Sequence, residues 1–154
     1  MFIKYLKTFL IAMLPIIELR GALPIALIKY NLNPYGAYLI SIIGNIIVVP
    51  FILIFIDSIL KFLSKTKLKK LAEWITKKGD KAKNKIINHE KGVYIALMLF
   101  VAIPLPGTGA WTGSLAASFL KLDKKKSFLY ISLGVLLAGI IIFSLSKLGL
   151  MIIK

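Results

Sequence analysis

The sequence predicts an all-α integral membrane protein built as an inverted repeat, and three observations lead to this prediction. Of its 154 residues, 58% are hydrophobic, a larger share than soluble domains carry. Two continuous apolar runs, residues 35–56 and 128–145, approach or exceed the roughly 20 residues that cross a bilayer. Two further apolar segments, one in each half, are interrupted by proline and glycine. We therefore predict that each half is a Pro/Gly-broken re-entrant helical hairpin followed by a transmembrane helix.

The charge is strongly basic, with 21 lysine and arginine residues against 6 acidic ones and a net charge of +15. Most lysines lie outside the apolar runs, which is typical of the positive-inside bias and not of nucleic-acid binding. We expect a multi-pass protein of the cell membrane, with the lysine-rich loop 61–91 in the cytoplasm. Cysteine is absent, and the single histidine, His89, lies in this charged loop. No metal site and no cofactor is expected.

The two halves match weakly when the sequence is shifted by ninety residues. In both, an apolar segment broken by Pro and Gly is followed by a short polar turn and then by a long apolar helix. Asn33 and Asp123 occupy the same place before these long helices, where either residue is a good N-cap. The aligned pairs are Ala26 with Ala116, Leu32 with Leu122, Asn33 with Asp123, Tyr38 with Phe128, and Gly44 with Gly134.

The broken segments decide the topology, since each either crosses once as a kinked helix or enters and returns as a hairpin. Broken backbone at membrane depth is tolerated only inside protein or beside a wet cavity, which favours hairpins. Each half then crosses once, so the second is inverted relative to the first, as in many transporters. The predicted single membrane domain, 1–154, comprises a first repeat 1–62 (hairpin 8–31, transmembrane helix 34–60), a linker 63–91, and a second repeat 92–154 (hairpin 93–121, transmembrane helix 124–150).

The linker carries a basic amphipathic pattern. Leu68, Leu71 and Ile75 share one helical face, Gly79 is a plausible helix end, and a second short helix starts at Asp80. Such helices often lie on an anionic membrane surface, and a solvated linker helix is the equal alternative.

Glu18 and Arg20 are the first candidate site, because charges within an apolar segment usually face a cavity or a partner. Arg20 is the only arginine, and its planar fork suits phosphate or carboxylate better than a lysine does. The alternative is a structural pair that neutralises itself.

The second candidate is "PLPGTGAWTG", residues 104–113, whose backbone N–H groups are predicted to form an anion cradle. The alternative is a tight turn that only packs against the first half. Asn45, in the first long helix, is expected to mediate helix packing. No catalytic or nucleotide-binding motif is present, so an enzyme is not expected. The candidate substrate-binding residues are Glu18, Arg20, Gly107, Thr108, Gly109, Trp111 and Thr112, and the candidate hairpin breakers are Pro15, Gly21, Pro24, Pro104, Pro106 and Gly113.

Through "PIIELRGALPIAL" and "PLPGTGAWTGSLAA" the chain resembles the small multidrug export protein family, which is similar to the DedA/VTT-like superfamily. That resemblance implies paired re-entrant hairpins and proton-dependent translocation of lipid-linked phosphates. Glu18 fits the acidic residue of the first hairpin in DedA proteins. Their arginines lie in the second half, where this chain has none, and Arg20 lies in the first.

We therefore predict a transporter of a lipid-linked phosphate or another amphiphile, with membrane lipids, protons and a second copy of the chain as partners. Glu18 is the proton-responsive acid, Arg20 the anion contact, and residues 107–111 the backbone cradle. One alternative is an exporter of lipophilic cations, in which Glu18 binds the drug and Trp111 adds a cation–π contact. Another is a membrane scaffold that transports nothing.

Overall fold

The structure, a computed structural model, describes residues 1–66, 69–86, 90–105 and 107–153. Over these residues it is helical, which confirms the all-α prediction for them. By length and composition, two helices can cross a membrane, at Pro34–Ile56 and Lys124–Gly149. The elements in chain order are α1 (Phe2–Met13), α2 (Glu18–Pro24), a π-helical segment (Ile25–Lys29), α3 (Pro34–Leu63), α4 (Lys69–Ile86), α5 (Glu90–Ala102), α6 (Ala110–Phe119) and α7 (Lys124–Ile153).

The first broken segment folds back on itself. Near the start of α1, Lys4 donates from Nζ to the carbonyl of Tyr30 at 3.1 Å, directly after the π-helical segment. The Asn33 side chain then accepts hydrogen bonds from two amides of the first turn of α3, at 3.1 and 3.2 Å. These bonds confirm the predicted N-cap. Because Lys4 contacts Tyr30, α3 begins beside the start of α1.

The second broken segment closes in the same way. The N–H of Asp123, just before α7, donates to the hydroxyl of Tyr94 near the start of α5 at 3.0 Å. Asp123 also accepts the N–H of Lys126 at 2.8 Å, which confirms the second predicted N-cap. Asn31 and Lys121, ninety residues apart, both have a positive φ, of 53° and 52°. The chain thus leaves both broken segments through the same turn geometry.

Within the first half, α1 and α3 run parallel. Tyr5 lies against Gly36, and further along both helices Phe9 lies against Gly44. A Cβ on Gly44 would stand 2.7 Å from the carbonyl oxygen of Phe9, so only glycine allows this approach. Contacts that advance together along two helices mean that the helices point the same way.

The second half repeats this arrangement in α5 and α7. Tyr94 stacks on Tyr130 with ring centroids 5.4 Å apart. One turn further along α5, the carbonyl oxygen of Met98 would stand 2.6 Å from a Cβ on Gly134. The pair Phe9–Gly44 therefore has its counterpart in Met98–Gly134, and α5 and α7 are parallel.

The two long helices α3 and α7 run antiparallel. Tyr35, at the start of α3, has its ring centroid 6.5 Å from that of Phe143, late in α7. Ile42, two turns further along α3, lies against the earlier residue Gly139. Residues further along α3 thus contact earlier residues of α7, so the two helices, and with them the two halves, point in opposite directions.

The outer surface of the long helices is apolar, whereas several polar side chains are buried. Soluble monomers rarely expose continuous apolar areas of this kind, so this surface fits contact with lipid. The exposed apolar side chains on α3 include Leu39, Ile43, Ile47, Phe51, Ile54 and Phe55, and those on α7 include Leu129, Leu133, Leu137, Ile140, Leu145 and Leu148. The buried polar side chains include Thr8, Glu18, Ser41, Asn45, Ser114 and Ser127.

The linker helix differs from the prediction, because α4 continues through Gly79 and does not end there. Gly79 is buried against the carbonyl of Phe119, at the end of α6. Asp80 forms an ion pair with Lys121. The absent side chain at Gly79 therefore serves close packing against the second half. Leu68 lies outside the described residues.

Candidate functional site

The two interruptions differ in backbone geometry. α1 ends at Met13, and Leu14 is extended, with φ −72° and ψ 137°. α5 ends at Ala102, and the chain resumes a helix only at Ala110. In between, Gly107 and Gly109 have φ of 81° and 130°, values that favour glycine.

Glu18 occupies the predicted anion cradle with its own carboxylate. It is the first residue of α2, has φ 49°, and its side chain is only 4% exposed. The N–H of Trp111 donates to Oε1 at 3.0 Å, and the amide of Ala110 donates to the same carboxylate. A carboxylate at a helix N-terminus satisfies free amides and complements the helix dipole. The carboxylate of the first half therefore caps α6 in the second half.

Gly109 makes room for this carboxylate. A Cβ at residue 109 would overlap the carboxylate oxygens of Glu18. Gly107, two residues earlier, would meet no atom within 4 Å. The two glycines of the turn thus serve different purposes, and only Gly109 shapes the cradle.

Arg20 binds the opposite helix end. Its guanidinium donates to the carbonyls of Leu105 and Ile103, the latter at 3.3 Å, and to the Thr108 hydroxyl at 2.6 Å. These groups follow the end of α5, where carbonyls lack helical partners and a cation complements the dipole. Glu18 and Arg20 form no ion pair within 4.0 Å in the described structure. Each charge instead caps one helix end of the second break.

Trp111 forms a reciprocal hydrogen bond from the second half to the first. Its indole N–H donates to the carbonyl of Met13, the last residue of α1, at 2.9 Å. Arg20 of α2 therefore caps α5, while Trp111 of α6 caps α1. This exchange locks the two broken segments together.

A cavity of about 520 Å³ lies between the two breaks. It is lined by five of the predicted binding residues, which are Glu18, Arg20, Gly107, Thr108 and Thr112. Gly109 and Trp111 do not line it, because they face the other side of the Glu18 carboxylate or the end of α1. The remaining lining residues are Pro15, Ile16, Ile17, Pro104 and Leu105.

The predicted breakers differ in where the structure places them. Pro15 and Pro104 lie in the breaks, as expected. Pro24 is the last residue of α2, and the π-helical segment follows it directly. Gly21 and Gly113 do not break the chain, because they lie inside α2 and α6. A Cβ on Gly113 would stand 2.5 Å from the side chain of Val101, so this glycine serves helix packing. Pro106 lies outside the described residues.

Three acceptors of this site were missed from the sequence, namely the carbonyl groups of Met13, Ile103 and Leu105. Their signal is indirect: each lies next to a proline or a helix end, where the regular hydrogen-bond ladder stops. The partner of each carbonyl depends on tertiary packing.

One protein family matches the chain, over residues 18–141, and its description is "Putative small multi-drug export protein". The matched range includes both broken segments from Glu18 onward and most of α7. Comparison with curated proteins gives no match. No solved structure matches either.

Proposed function

The chain belongs to the small multi-drug export protein family, and from this premise we propose that it is a multi-pass transporter in which translocation of an amphiphile with a phosphate head group is coupled to the binding of a proton. The observation that carries the proposal is the cavity between the breaks, which the carboxylate residue Glu18 and the arginine Arg20 both line. The family description supports transport in general. The charges in the cavity support the choice of substrate.

The directions of the helices support the re-entrant, inverted topology. If each broken segment crossed the membrane once, α1 would run antiparallel to α3, because the chain would return from the other side. Tyr5 and Phe9 contact Gly36 and Gly44 in parallel order instead. The antiparallel packing of α3 and α7 supports the inversion. The cavity then lies near the bilayer midplane, where inverted-repeat transporters bind substrate.

In this mechanism Glu18 fills the substrate's place while the site is empty. The amides of Ala110 and Trp111 are donors for an anion, and in the unloaded state that anion is the Glu18 carboxylate. A proton arriving on this carboxylate removes its charge and weakens its hold on the amides. A phosphate group then accepts hydrogen bonds from the freed amides and from the remaining N–H donors of Arg20. Loss of the proton restores the carboxylate to the cradle and expels the phosphate.

The strained backbone at Glu18 supports a role in this exchange. A non-glycine residue at φ 49° carries a strain on the order of 1 kcal/mol. The backbone conformation that carries this strain directs the Glu18 side chain from the start of α2 towards the start of α6. A residue held in this way by its surroundings is typical of functional sites.

Transport in liposomes tests the proposal. The purified protein is reconstituted with a fluorescent lipid monophosphate as probe and an imposed pH gradient, and appearance of the probe in the opposite leaflet is measured. We expect wild-type protein and the control Ser144→Ala, whose hydroxyl bonds to its own helix, to move the probe. Glu18→Gln and Arg20→Lys should lose this activity while eluting as folded protein.

Export of lipophilic cations is the second candidate, favoured by the family description and by the carboxylate in the cavity. Its predicted cation–π partner, Trp111, does not line the cavity and uses its indole N–H on Met13. A cationic dye in the same liposomes separates the candidates. Movement of the dye without the phosphate probe would replace our proposal by cation export. Movement of neither would favour a scaffold.

Cysteine labelling tests the topology, since the natural chain has no cysteine. We expect cysteines replacing Lys29 and Lys124 to react from opposite sides of the membrane, with Lys77→Cys on the side of Lys124. Labelling of positions 29 and 124 from the same side would contradict the re-entrant topology. The lysine excess around position 77 supports a cytoplasmic location for that side.

A further inference from the structure

A buried amide oxygen without a partner lies behind Glu18, on the side away from the cavity. Asn45 of α3 is 2% exposed, and its Oδ1 has no hydrogen-bond partner in the described part of the chain. The predicted role of Asn45 in helix packing is consistent with its burial, but it does not account for the unpaired oxygen. A buried acceptor left unpaired costs about 1–3 kcal/mol, so it calls for an explanation.

Asn45 and Glu18 line the same small void, together with Gly109 and residues of α5 and α7. The void has no room for a water molecule, so solvent cannot satisfy the amide oxygen. An ionised carboxylate has only acceptors and cannot help either. A protonated carboxyl group, however, carries one O–H donor. Arg20 also lines the void, but its guanidinium donates to Leu105, Ile103 and Thr108 in the second half. Within this void, protonation of Glu18 thus supplies a donor for Asn45.

We propose that Asn45 is the positioning residue of the proton exchange: its Oδ1 accepts the O–H of protonated Glu18 and draws that side chain away from the amides of α6. The inference deepens the proposed function and rests on it. In the ionised state Glu18 satisfies the amides and Asn45 is unpaired. In the protonated state Asn45 is satisfied and the cradle is open for the substrate's phosphate. The proton and the phosphate group therefore require the same movement of one side chain.

The asymmetry of the repeat supports this assignment. Ninety residues after Asn45 the chain has Val135, which is fully buried in α7. Both positions line the void beside Glu18. An apolar side chain satisfies the packing at position 135, whereas the equivalent position on α3 carries the amide of Asn45.

The electrostatic surroundings of Glu18 are simple. Among the residues that line the cavity and the void, Arg20 is the only other ionisable side chain. It lies on the same helix as Glu18. The facing residues from α3, α5, α6 and α7 are Asn45, Val101, Gly109, Ala110, Val135 and Ala138, and none of them titrates.

The test reads the protonation of Glu18 directly. The full-length protein in nanodiscs is titrated with pH, and the carbonyl stretch of its protonated carboxyl group is followed by infrared difference spectroscopy, with Glu18→Gln identifying the band. Asn45→Val and Asn45→Thr form a matched pair, because the two side chains have the same shape and only threonine keeps an oxygen acceptor. Ser41→Ala is the control. It removes a different buried polar atom without a partner, the Ser41 hydroxyl oxygen, and Ser41 lines neither the cavity nor the void.

We expect Asn45→Val to move the midpoint of this titration to lower pH by about one unit, a tenfold change in proton affinity, and to shift the band frequency. Asn45→Thr should retain most of the wild-type behaviour, and Ser41→Ala all of it. Asn45→Val should also lower the melting temperature at acid pH and not at alkaline pH, because only the protonated state loses a hydrogen bond.

An unchanged midpoint in Asn45→Val, or an equal shift in Ser41→Ala, would overturn the inference. Since the band reports protonation without any substrate, it is independent of the transport assay. If Asn45→Val shows the expected shifts but wild-type protein moves no probe in liposomes, the proposed function is rejected and the Glu18–Asn45 contact stands.

Discussion

The two broken hairpins have the same architecture, but they contribute different chemistry where they meet. The first contributes charged side chains, Glu18 and Arg20. The second contributes backbone groups, namely the amides at the start of α6 and the carbonyls after α5. Two halves of similar architecture can therefore form a site that is not symmetric, because a charge from one half meets a helix dipole of the other. Variants on the two sides of this contact should consequently behave differently.

Changing Gly109 to alanine should have the largest effect on the backbone side. The new Cβ would overlap the Glu18 carboxylate, and φ at residue 109 is 130°. Displacing the carboxylate and straining the backbone together should cost about 4 kcal/mol, measured as a loss of folded protein in detergent. Gly107→Ala is the matched control, since it has the strain of φ 81° and no clash, and it should cost about 1 kcal/mol. Equal losses in the two variants would contradict the described cradle.

On the side-chain side, Arg20→Met should have the next largest effect. It removes charged hydrogen bonds to two carbonyls and a hydroxyl, at a cost of about 3 kcal/mol. Glu18→Gln keeps an acceptor for the Trp111 amide and loses only the charge, at a cost of about 1 kcal/mol. Thermal unfolding in detergent measures both variants.

The double variant decides whether Glu18 and Arg20 act on each other or on the second hairpin. Removing both members of a mutual buried pair can be nearly neutral. Because each of these side chains has its own partners, we expect the two losses to add to within about 0.5 kcal/mol. Recovery of stability in the double variant would show that the two charges form a structural pair.

Much of the fold can be predicted from the sequence, because helix interruptions and helix caps depend on local chemistry. Proline interrupts helices near Pro15 and Pro104, and Asn33 and Asp123 cap the long helices with their own side chains. The same local rules identified a turn with free amides before α6. Gly21 and Gly113 were misassigned as breakers because glycine permits a turn but does not require one.

The occupant of the cradle could not be predicted in this way. Glu18 reaches the amides of residues 110 and 111 only because α2 packs against the second half, and no local pattern encodes that contact. The contact that we propose for Asn45 depends on tertiary packing in the same way. A lone polar residue in an apolar helix has the same pattern whether it packs against a neighbour or lies next to a carboxylate.

Trp111→Phe tests the return contact from the second hairpin to the first. It removes the indole donor to the Met13 carbonyl and keeps an aromatic ring, so we expect a loss of about 1 kcal/mol. Trp74→Phe is the matched control, because Trp74 is 56% exposed on α4 and should lose almost nothing. If both variants melt at the wild-type temperature, the indole does not secure the end of α1.

The smallest effect is expected at the linker, where α4 packs against α3 and, in the second hairpin, against α6. The ion pair of Asp80 with Lys121 is partly exposed, with side-chain exposures of 55% and 37%. Solvent screening limits such a pair to about 0.5 kcal/mol. Asp80→Asn should therefore leave the melting temperature almost unchanged and should raise the rate at which trypsin cleaves the linker, because α4 then separates more often from the end of α6. High salt should raise the rate for wild-type protein in the same way. Glu73→Gln is the control, since its pair with Lys69 lies within α4 and holds no other helix. A linker cleaved equally fast in both variants would mean that the Asp80–Lys121 contact does not attach α4 to the second hairpin.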